Sequence, residues 1–87
     1  MLAFESVPAM RRSEQPQAAL GNAIRELRAK RGLTQEELAH DAGITTGTLS
    51  LIERGQANPT WGTVRSIAAA LETSMAQLGK LVDRHDS

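Results

Sequence analysis

The apolar positions of this chain fall into short helical stripes separated by residues that stop helices. Leu20, Ala23, Ile24 and Leu27 stand at i, i+3, i+4 and i+7, one face of a helix. Arg28, Lys30 and Arg31 crowd the last turn, where cations suit the negative end of the helix dipole, and Gly32 follows as a C-terminal stop. The pattern predicts a first helix over 19–31. Between Gln35 and Arg54 the period breaks. Leu38, Ala42, Ile44, Leu49 and Ile52 are spaced by four, two, five and three, which no single helix or strand places on one face. Two short helices joined by a sharp bend do. Gly43 supplies the bend, because glycine reaches positive φ without a Cβ penalty, and Ile44 plugs the corner. Ala39, one turn earlier, is small enough for a second helix to approach closely.

Caps set the boundaries. Thr34 and Glu37 form a capping box, so the second helix runs over 35–42. Thr45 is the next residue suited to an N-cap, so the third covers 46–53 and stops before Gly55. Both are shorter than the ~12–15 residues at which an isolated helix becomes marginal in water, and they exist only by packing on neighbours. Gly55 to Pro59 reads as a loop. Thr60 caps a fourth helix with the stripe Val64, Ile67, Ala68 and Leu71, and Ser74 with Gln77 opens a fifth at Met75 carrying Leu78, Leu81 and Val82. The expected architecture is all-α: a compact five-helix domain over 19–83, a flexible tail over 1–18, a frayed end over 84–87, and no strand signal. Arg11 and Arg12 in the tail have a second reading, as an arm that reaches a nucleic-acid groove.

A chain of 87 residues makes one domain at most, and no separate ligand-sensing domain is expected. There is no cysteine, which excludes disulfides and thiolate metal sites and is consistent with a reducing compartment. His40 and His85 each lack a second ligand at metal-binding spacing, so neither metal nor cofactor is expected. Ten basic and ten acidic residues cancel, but their distribution does not: residues 1–34 hold six cations against three acids, and residues 35–87 hold four against seven. A face of the protein, not the whole, can attract phosphate. No run approaches the roughly 18 apolar residues of a membrane span, and MLAFESVPAM lacks a basic n-region, so a cytoplasmic protein is expected.

In this order and spacing the residues resemble the Cro/phage-repressor type of helix-turn-helix, also called XRE-like. The resemblance covers about residues 20–82. It rests on IRELRAKRGLTQEELA, on AHDAGI at the bend, on the IERG that closes the third helix, on NPT after the loop and on LETSMAQL near the end. It implies a five-helix bundle of phage-repressor-like type with the helix-turn-helix motif at 35–54.

The physical argument for DNA stands beside the resemblance. A major groove admits one α-helix, and a helix held proud of the body by a partner at a steep angle can enter it. With Leu49 and Ile52 inward, about 100° per residue leaves Thr46, Gly47, Ser50, Leu51 and Arg54 outward. The resemblance implies that these positions, with Thr45, meet bases and nearby phosphates, that Gln35 clamps a phosphate at the start of the second helix, and that Asn58 and Thr60 grip the next ones. Gln35 has a second reading as an exposed helix-forming residue, and Asn58 an equal one as a structural Asn-Pro turn. The face lacks Gln, Asn and Lys, so bidentate base pairing is confined to Arg54, which has phosphate as its other target. Hydroxyls of Thr46, Thr48 and Ser50 can bond donors or acceptors, and Leu51 can meet a thymine methyl. Gly47 is either a point of close backbone approach to DNA or an inexpensive first-turn glycine. Specificity is then expected to lean on DNA shape and dimer spacing.

The resemblance also implies an ion pair between Arg28 and Glu53 that ties the first helix to the end of the third. Trp61, the single tryptophan, reads as a packing residue at the start of the fourth helix or as an exposed rim residue. Leu78, Leu81 and Val82 are the candidate dimer surface, their other reading being that they simply complete the core. The functional expectation is a sequence-specific, double-stranded DNA-binding transcriptional regulator acting as a homodimer. The alternative is an interaction module, such as an antitoxin, that binds a protein partner and touches DNA weakly. Catalysis has little support: Ser50 has no His–acid arrangement near it in sequence, and His40–Asp41 is an exposed helix pair.

Overall fold

A computed structural model describes residues 16–86, which form five helices and, among the described residues, no strand. They are α1 (Pro16–Lys30), α2 (Gln35–Ala42), α3 (Thr46–Glu53), α4 (Trp61–Ala70) and α5 (Met75–Asp86). The expected 1–18 tail, with Arg11 and Arg12, lies outside the described residues up to position 15. α1 begins three residues before the expected Ala19, because a proline in the first turn forfeits no intrahelical hydrogen bond and its fixed φ already suits a helix. At the other end α5 continues to Asp86, past the expected end at 83.

The caps act as their residue types dictate. Thr34 accepts from the Glu37 N–H while the Glu37 carboxylate accepts from the Thr34 N–H, closing the box at α2. Thr45 and Thr60 accept from the N–H groups of Thr48 and Thr63 and start α3 and α4. At the bend, Gly43 adopts φ +75°, its N–H donates to the His40 carbonyl, and the Ile44 N–H reaches back to that of Ala39. These two bonds satisfy carbonyls that the end of α2 would otherwise leave unpaired. The same turn ends α4 with Glu72, not glycine, in the left-handed region at φ +57°. Arg31 fastens that turn from outside, donating to the Leu71 carbonyl at 3.1 Å and pairing with the Glu72 carboxylate at 3.1 Å.

One core runs through all five helices. Ile24, Leu38, Leu49, Ile52, Ile67 and Leu78 are its largest fully buried side chains, each worth about 1.5–3 kcal/mol of burial. Ala23 and Ala39 are buried among them, and their small side chains let α1 and α2 come close to α3. α1 packs against α3 and α5, while α2 packs against α3 and α4. α3 is thus held from behind by α1 and α2, and its far side faces outward.

Leu78 and Leu81, expected on a dimer surface, are 2% and 7% exposed and complete this core. Their spacing of three puts both on the face of α5 that meets α1 and α4, so the apolar stripe is satisfied within the chain. Val82, one residue round the helix, stays partly exposed.

Candidate nucleic-acid interface

The outward side of α3 carries the residues expected there. Leu49, Ile52 and Glu53 are buried, while Thr45, Thr46, Gly47, Thr48, Leu51 and Arg54 are exposed and Ser50 is half-buried. Leu51 is one of the exposed large hydrophobic residues among those described. It adds an apolar contact point to an otherwise hydroxyl-rich surface.

Several polar groups on this face are already engaged. The Thr45 hydroxyl accepts from the Thr48 N–H and donates to the Thr48 Oγ1 at 2.9 Å, which holds both side chains in one turn. The Thr60 hydroxyl likewise donates to the Thr63 Oγ1 at 3.0 Å. Arg54 caps α3, and its Nε folds back on the Ser50 carbonyl at 3.4 Å with the side chain exposed. Asn58 is exposed in the loop that joins α3 to α4.

Beneath this face lies a polar network. Glu53, 2% exposed, ends α3, where its charge opposes the negative end of the helix dipole. Arg28 compensates with two bonds, Nε to Oε2 at 2.7 Å and Nη2 to Oε1 at 3.0 Å, and its Nη1 donates to the Leu33 carbonyl at 3.0 Å. Bonding to Glu53 raises the Arg28 pKa. Gln35 joins through Nε2, 2.9 Å from Glu53 Oε1. No buried side-chain nitrogen or oxygen among the described residues lacks a partner. The start of α2 and the end of α3 are thereby locked together, and one N–H of the Gln35 amide is committed to the lock.

Two features escaped the sequence reading. Gly21, within the stripe of α1, is the point where that helix meets α3 backbone to backbone. A Cβ there would press on the carbonyl oxygens of Ile52 and Glu53, at 2.6 Å from the latter. A glycine among the apolar positions of a helix was the available signal. The Gln35–Glu53 bond had no signal, because it needs the angle between α2 and α3. Of the two readings of Trp61 the exposed one holds: at 68% exposure it is a surface residue and contributes little to the packing of α4. As the first residue after the N-cap it precedes the inward stripe that starts at Val64.

The family model for the helix-turn-helix domain matches residues 19–81. The chain is 41% identical over 59 residues to y4dJ, an uncharacterized HTH-type transcriptional regulator of Sinorhizobium fredii, covering 68% of this chain and 77% of that protein. It superposes on the clp gene regulator ClgR from Corynebacterium glutamicum with a TM-score of 0.79 at 32% identity, over 82% of this chain and 76% of that one. A third likeness is to the restriction-modification controller protein C.Esp1396I, seen as a tetramer in complex with its natural 35 base-pair operator. The TM-score is 0.77 at 25% identity, over 82% of this chain and 93% of that one.

Proposed function

Since the chain belongs to the XRE-like helix-turn-helix family, we propose that it is a sequence-specific, double-stranded DNA-binding transcriptional regulator that works as a homodimer and lays α3 in the major groove. The observation that carries this reading is the division of α3 into a buried side locked to α1 and α2 and an exposed side from Thr45 to Arg54. A helix held this rigidly can dock as a preformed element, so little ordering entropy opposes binding. The operator complex of C.Esp1396I supports the same use of the scaffold.

Thr46, Ser50 and the O–H of Thr48 are the polar groups offered to base edges, and Leu51 meets a thymine methyl. Arg54 unfolds from the Ser50 carbonyl to reach phosphate or guanine. The second N–H of the Gln35 amide serves a phosphate at the start of α2, with Asn58 and Thr60 gripping the strand further on. Such contacts position the protein more than they read sequence. A homodimer supplies the remaining specificity through half-site spacing, since one small module buries little surface and two-fold proteins match two-fold operators. Action on DNA places its work in the cytoplasm, and no described helix is long and apolar enough to cross a membrane.

The test is titration against random duplex and against the protein's own upstream region at two salt concentrations. Phosphate binding weakens steeply with salt, whereas a specific site keeps an advantage of about 10³ or more over random duplex. No advantage for any genomic fragment refutes the regulator and leaves the protein-interaction module.

A further inference from the structure

A groove of about 240 Å³ opens on the side of the molecule formed by α1, α4 and α5. Leu20, Trp61, Val64, Met75 and Val82 wall it, and Gly79, without a side chain, leaves its α5 wall low. Among the described residues the exposed large hydrophobic side chains are Leu51 and Trp61. Leu51 belongs to the outward face of α3. Trp61 stands at the edge of the groove, 68% exposed, and the N-cap of α4 comes from Thr60, so the indole is not needed to start the helix.

Resting on the homodimer reading above, we propose that Trp61 and the groove beside it form the two-fold interface, the indole of each copy seated in the groove of the other. Leu78 and Leu81 are consumed by the core, whereas Val82 keeps a place in this surface as one wall of the groove.

Shape selects a second copy. A contact about a two-fold axis uses the same patch on both subunits, so the patch must carry both a projection and a seat for it. Here the two lie side by side, and any other partner would need to meet only one of them. A cavity of about 150 Å³ holds a benzene ring, so the volume of this groove suits an indole. Position agrees with shape. Trp61 directly follows Thr60, and Asn58 and Thr60 are the positions assigned to the DNA strand beyond α3. A two-fold axis near Trp61 therefore runs beside the DNA surface, where the axis of a two-fold operator passes between half-sites. Charge agrees as well: Arg65, one helical turn from Trp61, is exposed on α4, and Asp83 lines the groove on α5. A two-fold that carries α4 of one copy across α5 of the other sets cation against acid twice.

Two indoles exposed to this degree, with the walls they cover, bury roughly 400–700 Å², less than the 1,200–2,000 Å² of a standard stable interface. The free dimer is therefore weak and concentration-dependent, and adjacent half-sites complete it on DNA.

The full chain, free of DNA, is followed by sedimentation equilibrium and by acrylamide quenching of its sole tryptophan from about 1 μM to about 1 mM. The expected result is a monomer at the low end that dimerises as concentration rises, with Trp61 becoming shielded in step. Two variants break the contact from opposite sides. Trp61→Ala removes the projection, and Gly79→Gln fills the seat. A Cβ at Gly79 meets nothing within 4 Å and glutamine is the better helix former, so the fold is kept, as the thermal midpoint checks. Each variant should weaken association at least about tenfold. Mixed in equal amounts they should recover part of it, because Trp61 of the Gly79→Gln copy still enters the open groove of the Trp61→Ala copy. A chain that stays monomeric throughout overturns the proposal, as do variants that associate like the unmodified chain or a mixture no better than either alone. Trp61 shielded at every dilution in a monomer overturns it too, and gives the groove to another part of the same chain. With no DNA present, each of these failures leaves DNA recognition to be decided by its own salt titration.

Discussion

Removing the carboxylate of Glu53 is the most demanding test of how α3 is held. In Glu53→Ala the Arg28 guanidinium, its side chain 18% exposed, loses both bonds to the carboxylate and keeps only the Leu33 carbonyl. The Gln35 amide loses its acceptor as well. Breaking a buried pair in this way costs about 3–5 kcal/mol, since the charge left behind keeps one carbonyl and little water in place of a carboxylate. The 71 residues from 16 to 86 have a stability of roughly 4–10 kcal/mol at the usual value per residue, so the substitution removes at least about three-tenths of it. At about 4–8 °C per kcal/mol for a domain of this size, the thermal midpoint falls by at least about 12 °C. Circular dichroism melting and urea denaturation measure the effect. The double variant Arg28→Met/Glu53→Leu separates the uncompensated charge from lost packing. It should recover most of the stability, because two apolar side chains of similar volume leave no charge unpaired, and the half-buried Gln35 amide and Leu33 carbonyl can turn to water. A Glu53→Ala protein within about 1 kcal/mol of the unmodified chain would refute the reasoning, and so would a double variant no better than the single one.

Four further outcomes are expected. Gly21→Ala forces α1 away from the Ile52 and Glu53 carbonyls and costs about 1–3 kcal/mol in denaturant titration. Gly47→Ala meets nothing within 4 Å, so it should stabilise the free protein by about 0.4–1 kcal/mol; if Gly47 admits DNA backbone closely, the same variant binds operator more weakly in a gel-shift titration. Arg54→Ala should lower operator affinity and reduce the salt slope by about one unit, whereas an unchanged slope removes Arg54 from the phosphate contacts. The carboxyls of Glu26 and Glu72 are held below their ordinary range, chiefly by hydrogen bonds from His85 and Arg31 respectively. Depressed carboxylates stabilise the fold above their ordinary range, and that contribution is lost as pH falls through their folded values. The unmodified chain should therefore lose more thermal stability on acidification than Glu26→Gln/Glu72→Gln, by a small margin because Glu72 is exposed and Glu26 is only half-buried.

The helices themselves were legible because their signals are local. A capping box needs residues three apart, a stripe needs one helical period, and a terminating glycine stands beside the end it makes. α2 and α3 begin and end where Thr34, Gly43, Thr45 and Gly55 place them. Pro16 fell within the expected 1–18 tail when it is a first-turn residue, an ambiguity in proline itself that only the run of helix after it resolves. The outward face of α3 followed from its period once Leu49 and Ile52 were taken as core.

What no local pattern contains is the angle between helices. That angle decides that Gly21 touches the α3 backbone, that Gln35 reaches Glu53, that Leu78 and Leu81 turn inward, and that Trp61 is left outside beside a groove. Periodicity tells which residues share a face of one helix but not which other face they meet. Arg28 and Glu53 stand 25 positions apart, and their 2.7 Å bond exists only because α1 and α3 pack closely enough to bury one charge against the other.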